Sequence, residues 1–314
     1  MQANPLISVV VPSYNYANYL PHLFDTLSKQ TYANWECIVV DDESKDQTKE
    51  LVLGYTEKEP RIKYIFQKNA GPATARKLGV DSSSGDYIQF IDADDYIGFD
   101  KFKIEMELFS QNPELDVVYS SYLLTDPELS TFWKDAKTWQ TLSNNTFCDF
   151  VKHWEAGLMI PLHSFLYKKE CFLKYGSFDR NFRTHEDWDL NLNVSLSGFK
   201  YLYHDYSGAY YRIHQQSSSR TNLTNNKRDT LNVLAKYIHS HRTNFSQKFL
   251  LINRYAYFLT DFTIERVRFN KIDLGVILNT KSNLGLNVYT YSVFPYFFIR
   301  KILRKFFKKN NKFF

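Results

Sequence analysis

GDYIQFIDADDY, residues 85–96, decides the fold class of this chain, and WECIVVDDES, residues 35–44, repeats its arrangement of an apolar run followed by carboxylates. Short β-branched runs indicate buried strands, and residues at the carboxyl ends of parallel strands lie where open α/β sheets bind ligands. Carboxylates crowded at one sheet edge repel each other unless they share a cation. The pattern therefore indicates a metal-dependent site for an anionic ligand. The carboxylates concerned are Asp41, Asp42, Asp92, Asp94 and Asp95.

Strand and helix signals alternate over residues 6–121, and this alternation predicts an α/β fold with a mostly parallel central sheet flanked by helices. From residue 123 the alternation breaks, and residues 225–270 have a largely helical pattern. We therefore expect three parts, 1–122, 123–222 and 223–314, of which the last is a helical carboxyl-terminal extension. The predicted strands are 6–11, 37–40, 62–66, 87–91 and 115–122, with shorter pieces in HSFLY, YLYH and AYYRIH, and the clearest predicted helices are 46–59 and 100–111.

Charge is distributed unevenly along the chain. The formal net charge is +5, but residues 300–314 hold seven Lys and Arg residues and no acid, so the remainder is slightly acidic. This argues against a nucleic-acid partner for the folded part. The segment 295–314 interleaves basic residues with Phe and Ile, which suits contact with an anionic membrane as well as a solvated tail.

Three scattered cysteines without CxxC spacing favour a reducing compartment. The sequence has neither a signal-peptide pattern nor an apolar run of the roughly 18 residues that a spanning helix needs. We therefore expect a cytoplasmic protein that associates, if at all, peripherally with the inner face of the cell membrane.

The motif PSYNYANYL, residues 12–20, directly follows the first predicted strand. Pro12, Ser13 and Tyr14 would form a loop that presents backbone groups and an aromatic ring to a nucleotide base, unless this is an ordinary strand-to-helix turn. Arg76 in NAGPATARKLG would face the same crevice, where it could contact the base, or it could form a surface ion pair.

The carboxylates of VVDD have two possible roles. Asp41 and Asp42 could accept a hydrogen bond from the imide N–H of uracil, or they could cap the helix that follows. Ser44 and Asp46 are better placed for capping, which would leave the aspartate pair for a ligand.

The D-x-D of FIDADDY is the sharper signal. Asp92 and Asp94 could present one carboxylate to a ribose hydroxyl and the other to a divalent cation that bridges diphosphate oxygens. Mg²⁺ and Mn²⁺ are the hard cations that suit such oxygen ligands. A solvated acidic turn is the alternative.

HEDWDL and YRIH supply residues from the second part of the chain. Asp187, beside Glu186, could act as general base on an acceptor hydroxyl, or it could be an acid in the first turn of a helix. His214, with Arg212 two residues before it, could bind a metal or a phosphate, or it could be structural.

Together these segments resemble the inverting family 2 glycosyltransferases of the GT-A fold. The matching segments, in the family's order and spacing over residues 5–215, are ISVVVPSYNYANYL, WECIVVDDES, NAGPATARKLG, GDYIQFIDADDY, GSFDRNFRTHEDWDL and YRIH. Many members have Gly before the Glu-Asp pair and an aromatic residue soon after it, whereas here His185 precedes the pair and Asn191 follows Leu190. This departure concerns the acceptor rather than the type of reaction.

The resemblance implies a nucleotide-diphosphate sugar donor, often a UDP-sugar, bound by the first part of the GT-A domain, and an acceptor, a glycan or a lipid-linked sugar, bound by the second. It implies Mn²⁺ or Mg²⁺ as cofactor. The implied nucleotide-binding residues are Pro12, Ser13, Tyr14, Asp41, Asp42, Arg76 and Asp92. The implied metal ligands are Asp94 and His214, supported by Asp95 and Arg212, and the implied catalytic residues are Asp187 as base with Glu186 beside it.

Two other functions are compatible with parts of the pattern. A nucleotidyltransferase would need a Gly-rich loop with basic residues after the first strand, and PSYNYANYL provides neither. A catalytically inactive nucleotide-sugar-binding or scaffold protein would have no need for a base such as Asp187.

Overall fold

The computed structural model describes residues 4–134, 141–154, 156–173, 178–214 and 223–268. The chain divides into two compact units, Met1–Asn222 and Leu223–Phe314. The first unit contains one sheet flanked by helices, which confirms the predicted α/β class. The finer division of this unit at residue 122 stays a prediction.

The described strands form a single sheet of nine strands. Their order across the sheet is β3-β2-β1-β4-β8-β6-β9-β5, and β7 lies beside β6. In chain order the strands are β1 (Ile7–Ser13), β2 (Trp35–Asp41), β3 (Ile62–Phe66), β4 (Tyr87–Phe90), β5 (Tyr96–Ile97), β6 (Val117–Thr125), β7 (Phe132–Trp133), β8 (Phe165–Lys168) and β9 (Tyr201–Arg212).

The helices of the first unit lie between these strands in the chain. They are α1 (Leu20–Ser28), α2 (Thr48–Thr56), α3 (Pro72–Asp81), α4 (Lys101–Gln111), α5 (Thr146–His153), α6 (Glu170–Leu173) and α7 (Glu186–Leu196). In the second unit α8 (Leu223–Ile238) and α9 (Phe245–Arg268) pack on each other, so its described part is helical as predicted. No helix in the described ranges is long and apolar enough to cross a bilayer.

The pairing of the strands brings their polar ends together at one edge. β1 pairs in parallel with β2 and β4, and β2 pairs in parallel with β3, so the four strands end on the same side. β8 runs antiparallel between β4 and β6, and it therefore starts at that edge, after a 3-10 turn over Leu162–Ser164. β6 and β9 are parallel and end there with the paired residues Thr125 and Arg212.

Successive residues of a strand point to opposite faces of the sheet, and the parallel strands β1 and β2 are buried along nearly their whole length. Helices therefore cover both faces of this part of the sheet. Val9 and Val11 of β1 pack in a core that includes α1, whose apolar residues at helical spacing, Leu20, Leu23, Phe24 and Leu27, are all buried. On the other face α3 approaches β1 closely. A Cβ atom added to Gly79 would lie only 2.3 Å from Val10 Cγ1, so this contact requires glycine.

One sequence-based assignment needs correction. YLYH and AYYRIH were expected as separate strands, but YLYH and the first four residues of AYYRIH belong to one strand, β9. The pairing of β6 with β9 shifts register near Ser121, where His204 and Ser207 are the consecutive partners of Ser120 and Ser121. This irregularity leaves extra residues in β9 and interrupts the alternation of its side chains, which is why the pattern looked like two short strands.

Candidate active site

Arg76 lies at the centre of a buried ion-pair cluster beneath the polar edge of the sheet. Its Nη2 atom donates to Asp92 Oδ1 at 2.5 Å, and its Nη1 atom donates to Glu186 Oε1 at 2.6 Å. Burial lowers the pKa of Arg76, but Asp92 and Glu186 outweigh burial and raise it, so the guanidinium stays charged. The cluster thus joins α3, the loop after β4 and the start of α7.

Asp187 lies at the start of α7 and is half-buried. Its Oδ1 atom accepts a hydrogen bond from the backbone N–H of Trp188 at 2.8 Å. Burial raises the pKa of Asp187, although His185 and Arg76 oppose this effect. A carboxylate with a raised pKa in a partly desolvated position is suited to accept a proton.

The entry into α7 is conformationally unusual. His185 has φ 64°, in the left-handed region that glycine adopts without cost. Trp188 fixes the helix from within: its ring is fully buried and stacks on Trp154 with centroids 6.1 Å apart, and its Nε1 donates to Phe150 O at 3.0 Å. Tertiary contacts therefore hold this helix start in a conformation that costs energy locally.

Asp94 and His214 meet across the site. Asp94 Oδ2 lies 2.8 Å from His214 Nε2. The ring of Tyr19 stacks on His214 with centroids 5.1 Å apart, and the Arg212 guanidinium lies over the same Tyr19 ring, 5.0 Å from its centroid. Tyr16 lies edge-on to His214 at 6.2 Å. The loop after β1 thus supports the residue that follows β9.

Asp95 is buried behind this pair and has a support that the sequence did not reveal. Its Oδ1 atom accepts from the backbone N–H of Arg212 at 2.9 Å, and its Oδ2 atom lies 3.2 Å from His163 Nδ1. Burial, with Asp94 and Asp92 nearby, raises the pKa of Asp95. Burial lowers the pKa of His163 to about 3, so this imidazole is neutral at physiological pH. His163 is the first residue of the strand-like HSFLY, and that position was its only signal.

The loop that carries Tyr14 is tied to the loop after β2. Ser44 Oγ accepts from the Asn15 N–H at 2.9 Å, and Asn15 Oδ1 accepts from the Lys45 N–H at 2.7 Å. Asn15 and Glu43 both have positive φ, 60° and 65°. Tyr14 itself is 45% exposed. Pro12 and Ser13 end β1 beneath it, where Ser13 is buried and Pro12 is half-buried.

Asp41 and Asp42 are both buried and engaged with the protein. Asp41 accepts from Ser44 N–H at 2.8 Å and from Tyr64 OH at 2.7 Å. Asp42 accepts from three donors of the loop after β3, namely Gln67 Nε2 at 2.7 Å, Ala70 N–H at 2.8 Å and Gly71 N–H at 3.0 Å. Asp46, expected as a cap, does accept from Thr48 N–H at 3.1 Å. From the sequence the aspartate pair could bind a ligand or cap the next helix; in the structure it closes two loops, and its role toward a ligand stays a prediction.

Metal-ligating side chains converge only partly. Within the described ranges no three His, Cys, Asp or Glu side chains surround one point. Asp94 and His214 are a converging pair with some access to solvent, since the side chain of Asp94 is 16% exposed. Mg²⁺ is commonly held by one or two carboxylates together with substrate phosphates, so a pair of this kind is compatible with a cation completed by a ligand.

The sequence matches Glycosyl transferase family 2 over residues 8–176, more than half of the chain. The chain belongs to this family. The uncharacterized glycosyltransferase EpsJ of Bacillus subtilis is 30% identical over 193 residues, which are 60% of this chain and 56% of EpsJ. Glycosyltransferase GlyA of Streptococcus pneumoniae is 30% identical over 233 residues, 70% of this chain and 32% of GlyA. The chain thus spans about half or less of these curated relatives.

Solved structures agree on the fold of this family 2 chain. S. aureus TarS 1–349 in complex with UDP-GlcNAc superposes with a TM-score of 0.63 at 18% identity, covering 81% of this chain and 71% of TarS 1–349. The mannosyltransferase PcManGT of Pyrobaculum calidifontis, in complex with GDP-Man and Mn²⁺, gives 0.58 at 15% identity, covering 98% and 89%. Both the family and the GT-A fold expected from the sequence are thereby confirmed.

Proposed function

We propose that this chain is an inverting glycosyltransferase that moves a sugar from a nucleotide-diphosphate donor, a UDP-sugar, to a hydroxyl group of a glycan or lipid-linked acceptor. One observation carries the proposal. Arg76 joins Asp92, on the side of the sheet expected to bind the donor, to Glu186, the neighbour of the expected base. Residues far apart in sequence therefore contribute to one site, with a donor side and an acceptor side.

On the donor side, exposure separates the residues that contact the nucleotide from those that support it. Tyr14 is exposed and would lie against the base, and the side chain of Asp92, 40% exposed, would accept from a ribose hydroxyl through the oxygen that does not bind Arg76. Pro12 and Ser13 would shape the base pocket. Asp41 and Asp42 would act mainly through the loops they close, with Asp42 at the pocket wall.

Asp94 and His214 would hold Mn²⁺ or Mg²⁺ against the diphosphate, with Asp95 and Arg212 supporting them. When bound, such a cation neutralises the charge that develops on the departing nucleotide diphosphate. The donor set fits, because carboxylate oxygens suit hard cations and neutral imidazole is the commonest metal ligand in proteins. The structure of PcManGT contains Mn²⁺ together with GDP-Man, which supports the proposal of such a cation here.

On the acceptor side, Asp187 would remove the proton from the attacking hydroxyl group. The acceptor oxygen forms a bond to the anomeric carbon while the bond from that carbon to the diphosphate oxygen breaks. The proton goes to Asp187 and the electron pair leaves with the nucleotide. One displacement of this kind inverts the anomeric centre. The raised pKa of Asp187 makes its carboxylate a stronger base than an exposed aspartate.

The same residues disfavour the other functions. An inactive binder or scaffold would have no need of a carboxylate whose pKa is raised by burial, because desolvation of a charged group is costly. A nucleotidyltransferase would contact the triphosphate of its substrate through a basic, Gly-rich loop after β1. That loop instead carries Tyr14, Asn15 and Tyr16, and it is fixed by its contacts with the loop after β2.

Incubation with UDP-, GDP- and dTDP-sugars and an acceptor library, with nuclear magnetic resonance of the product, tests the proposal. We expect transfer from one donor with inversion at the anomeric carbon. Asp187→Asn should still bind UDP yet lose transfer by about 1,000-fold or more, because the proton has no acceptor. Retained configuration, or unchanged turnover in Asp187→Asn, would contradict the mechanism.

Association with the membrane is a separate proposal, because residues 295–314 lie outside the described ranges. Their seven basic residues and several Phe residues would attract anionic lipid, which would place the enzyme peripherally where lipid-linked acceptors are found. Truncation after Ser292 should abolish co-sedimentation with vesicles that contain phosphatidylglycerol. Co-sedimentation at the level of the full chain would exclude this segment as the anchor.

A further inference from the structure

We infer that Arg76 is a positioning residue that fixes Asp187 relative to the donor, and that Glu186 is its anchor on α7 rather than a second catalytic acid. This inference rests on the proposed function and deepens it. It differs from the sequence-based expectation, in which Arg76 contacts the nucleotide base and Glu186 takes part in catalysis.

The surroundings of Arg76 favour positioning over ligand contact. Arg76 is only 5% exposed, and each Nη atom donates to a carboxylate. The guanidinium also lies over the ring of Phe178, 5.6 Å from its centroid. A guanidinium in this position has no open face for a base, whereas Asp92 keeps an exposed side beside it. Arg76 therefore acts on the donor side through Asp92.

The geometry of α7 explains how Glu186 affects Asp187. Consecutive residues of an α-helix are about 100° apart around its axis. Glu186 and Trp188 therefore point to nearly opposite sides, and Asp187 lies between them. Glu186 is held by Arg76, and Trp188 is held by Phe150 and stacks on Trp154. Two anchors on either side fix the rotation of the helix start and thereby the direction of the Asp187 carboxylate.

The helix start needs such anchors because His185 adopts the left-handed conformation. Without the contact to Glu186, relaxation of His185 toward an ordinary backbone conformation would turn the first residues of α7. A displacement of about 1 Å of a catalytic group is enough to lower a rate by about 100-fold. The pair Arg76–Glu186 therefore acts on the rate of the chemical step more than on donor binding.

Arg76→Lys tests this inference, since a single ammonium group cannot hold two carboxylates in the fork geometry of a guanidinium. We expect kcat to fall by about 10- to 100-fold, while the Kd for UDP, measured by calorimetry with Mn²⁺ present, changes less than about threefold. Arg61→Lys is the matched control. Arg61 forms a two-pronged ion pair with Glu59 just before β3, outside the candidate site. Its replacement should leave kcat unchanged.

Glu186→Gln separates anchoring from acid–base catalysis. If Glu186 is an anchor, kcat falls but the pH–rate profile keeps the same number of limbs, because Asp187 still titrates. If Glu186 is a catalytic acid, the limb that it controls disappears. A combined Arg76→Lys, Glu186→Gln variant should lose no more than the worse single variant, since both changes remove the same contact. A fully additive loss in kcat would overturn the inference.

Hydrogen exchange provides a readout that does not depend on activity. In Arg76→Lys the amides of a peptide covering 185–192 should exchange at least about tenfold faster, while those of β1 keep their rate. Faster exchange without transfer by any variant, wild type included, would refute the proposed function and would leave only the structural part of the inference, that Arg76 anchors the start of α7. Unchanged exchange with unchanged kcat, or a tenfold weaker affinity for UDP at constant kcat, would refute the inference.

Discussion

The two acidic strand ends, Asp41-Asp42 after β2 and Asp92 to Asp95 after β4, look alike in sequence and differ in structure. Both carboxylates of the first pair are buried and occupied by hydrogen bonds from neighbouring loops. In the second group Asp92 and Asp94 keep an exposed side, and only Asp95 is buried. Acidic residues at a strand end therefore mark the edge of the site, but the loops that pack beside them decide whether a carboxylate can reach a ligand.

Between these two groups of carboxylates, the largest expected effect comes from Asp94→Ala, in the open group formed by the partly exposed Asp92 and Asp94. Loss of one of two converging ligand groups should lower transfer by about 100-fold or more and abolish the Mn²⁺ dependence of UDP binding. The melting temperature should change little, since Asp94 is partly exposed. Calorimetry with and without Mn²⁺ is the measurement, and Asp25→Ala, at an exposed ion pair on α1, is the control. Equal metal dependence in wild type and variant would break the comparison.

Asp42→Asn should have the opposite profile. Its carboxylate accepts from one side-chain and two backbone donors of the loop that leads into α3, and an amide cannot satisfy all three. We expect the free energy of unfolding to fall by about 1–3 kcal/mol, as measured in urea. Asp81→Asn, in a surface pair with Lys77, is the control. Weaker UDP binding at undiminished stability would show that Asp42 serves the ligand instead.

A pH series tests the role of His163, which lies against Asp95 beneath the open group. His163 is neutral in the folded protein, with a pKa of about 3, and its usual pKa is 6.5. Because the unfolded chain binds this proton first, the contribution of His163 to stability is complete above about pH 6.5 and is lost as the pH falls toward 3. At pH 5 the loss is about 2 kcal/mol.

The contribution is measured as the decrease in unfolding free energy from pH 7 to pH 5, compared between wild type and His163→Asn. The decrease should be smaller in the variant. Asp95, whose pKa is raised, acts in the opposite direction and remains in both proteins. A wild type that gains stability relative to the variant on acidification would mean that His163 becomes charged and pairs with Asp95.

The smallest effect is expected for Asp41, which accepts one side-chain donor, Tyr64 OH, and one backbone donor. Tyr64→Phe removes the first contact and should cost about 1 kcal/mol. A double-mutant cycle with Asp41→Asn should give a coupling of about 0.5–1.5 kcal/mol. A coupling energy of zero would mean that the hydrogen bond from Tyr64 to Asp41 stabilises the protein less than its geometry implies.

The sequence predicted the parallel part of the sheet well, because its strands are short apolar runs between clear helix signals. IKYIF coincides with β3, and the helix expected over 100–111 is α4 (Lys101–Gln111). β9 was divided in two because its irregular pairing interrupts the alternation on which strand assignment depends. The sequence pattern thus predicted strands correctly where the pairing between strands is regular.

The sequence selected the residues of the candidate site but not their contacts with one another. Asp92, Asp94, Asp187 and His214 were all selected from motifs, yet nothing in the sequence indicates that Arg76 bonds to Glu186, 110 residues away. Contacts of this range depend on how the whole fold brings Arg76 of α3 to the start of α7. His163 escaped notice for the same reason, since a lone histidine before a strand acquires its role only when β8 pairs with β4 and β6.

The absent side chain of Gly79 has a consequence for how this protein tolerates mutation. Gly79 lies one helical turn from Arg76 on α3, against Val10, and even a methyl group there would push the helix outward. Arg76 would move with the helix, and its contacts with Asp92 and Glu186 would change together. A natural variant or an engineered library with Ala at this position should therefore impair sugar transfer without altering any group that meets a substrate, and a survey restricted to pocket residues would overlook it.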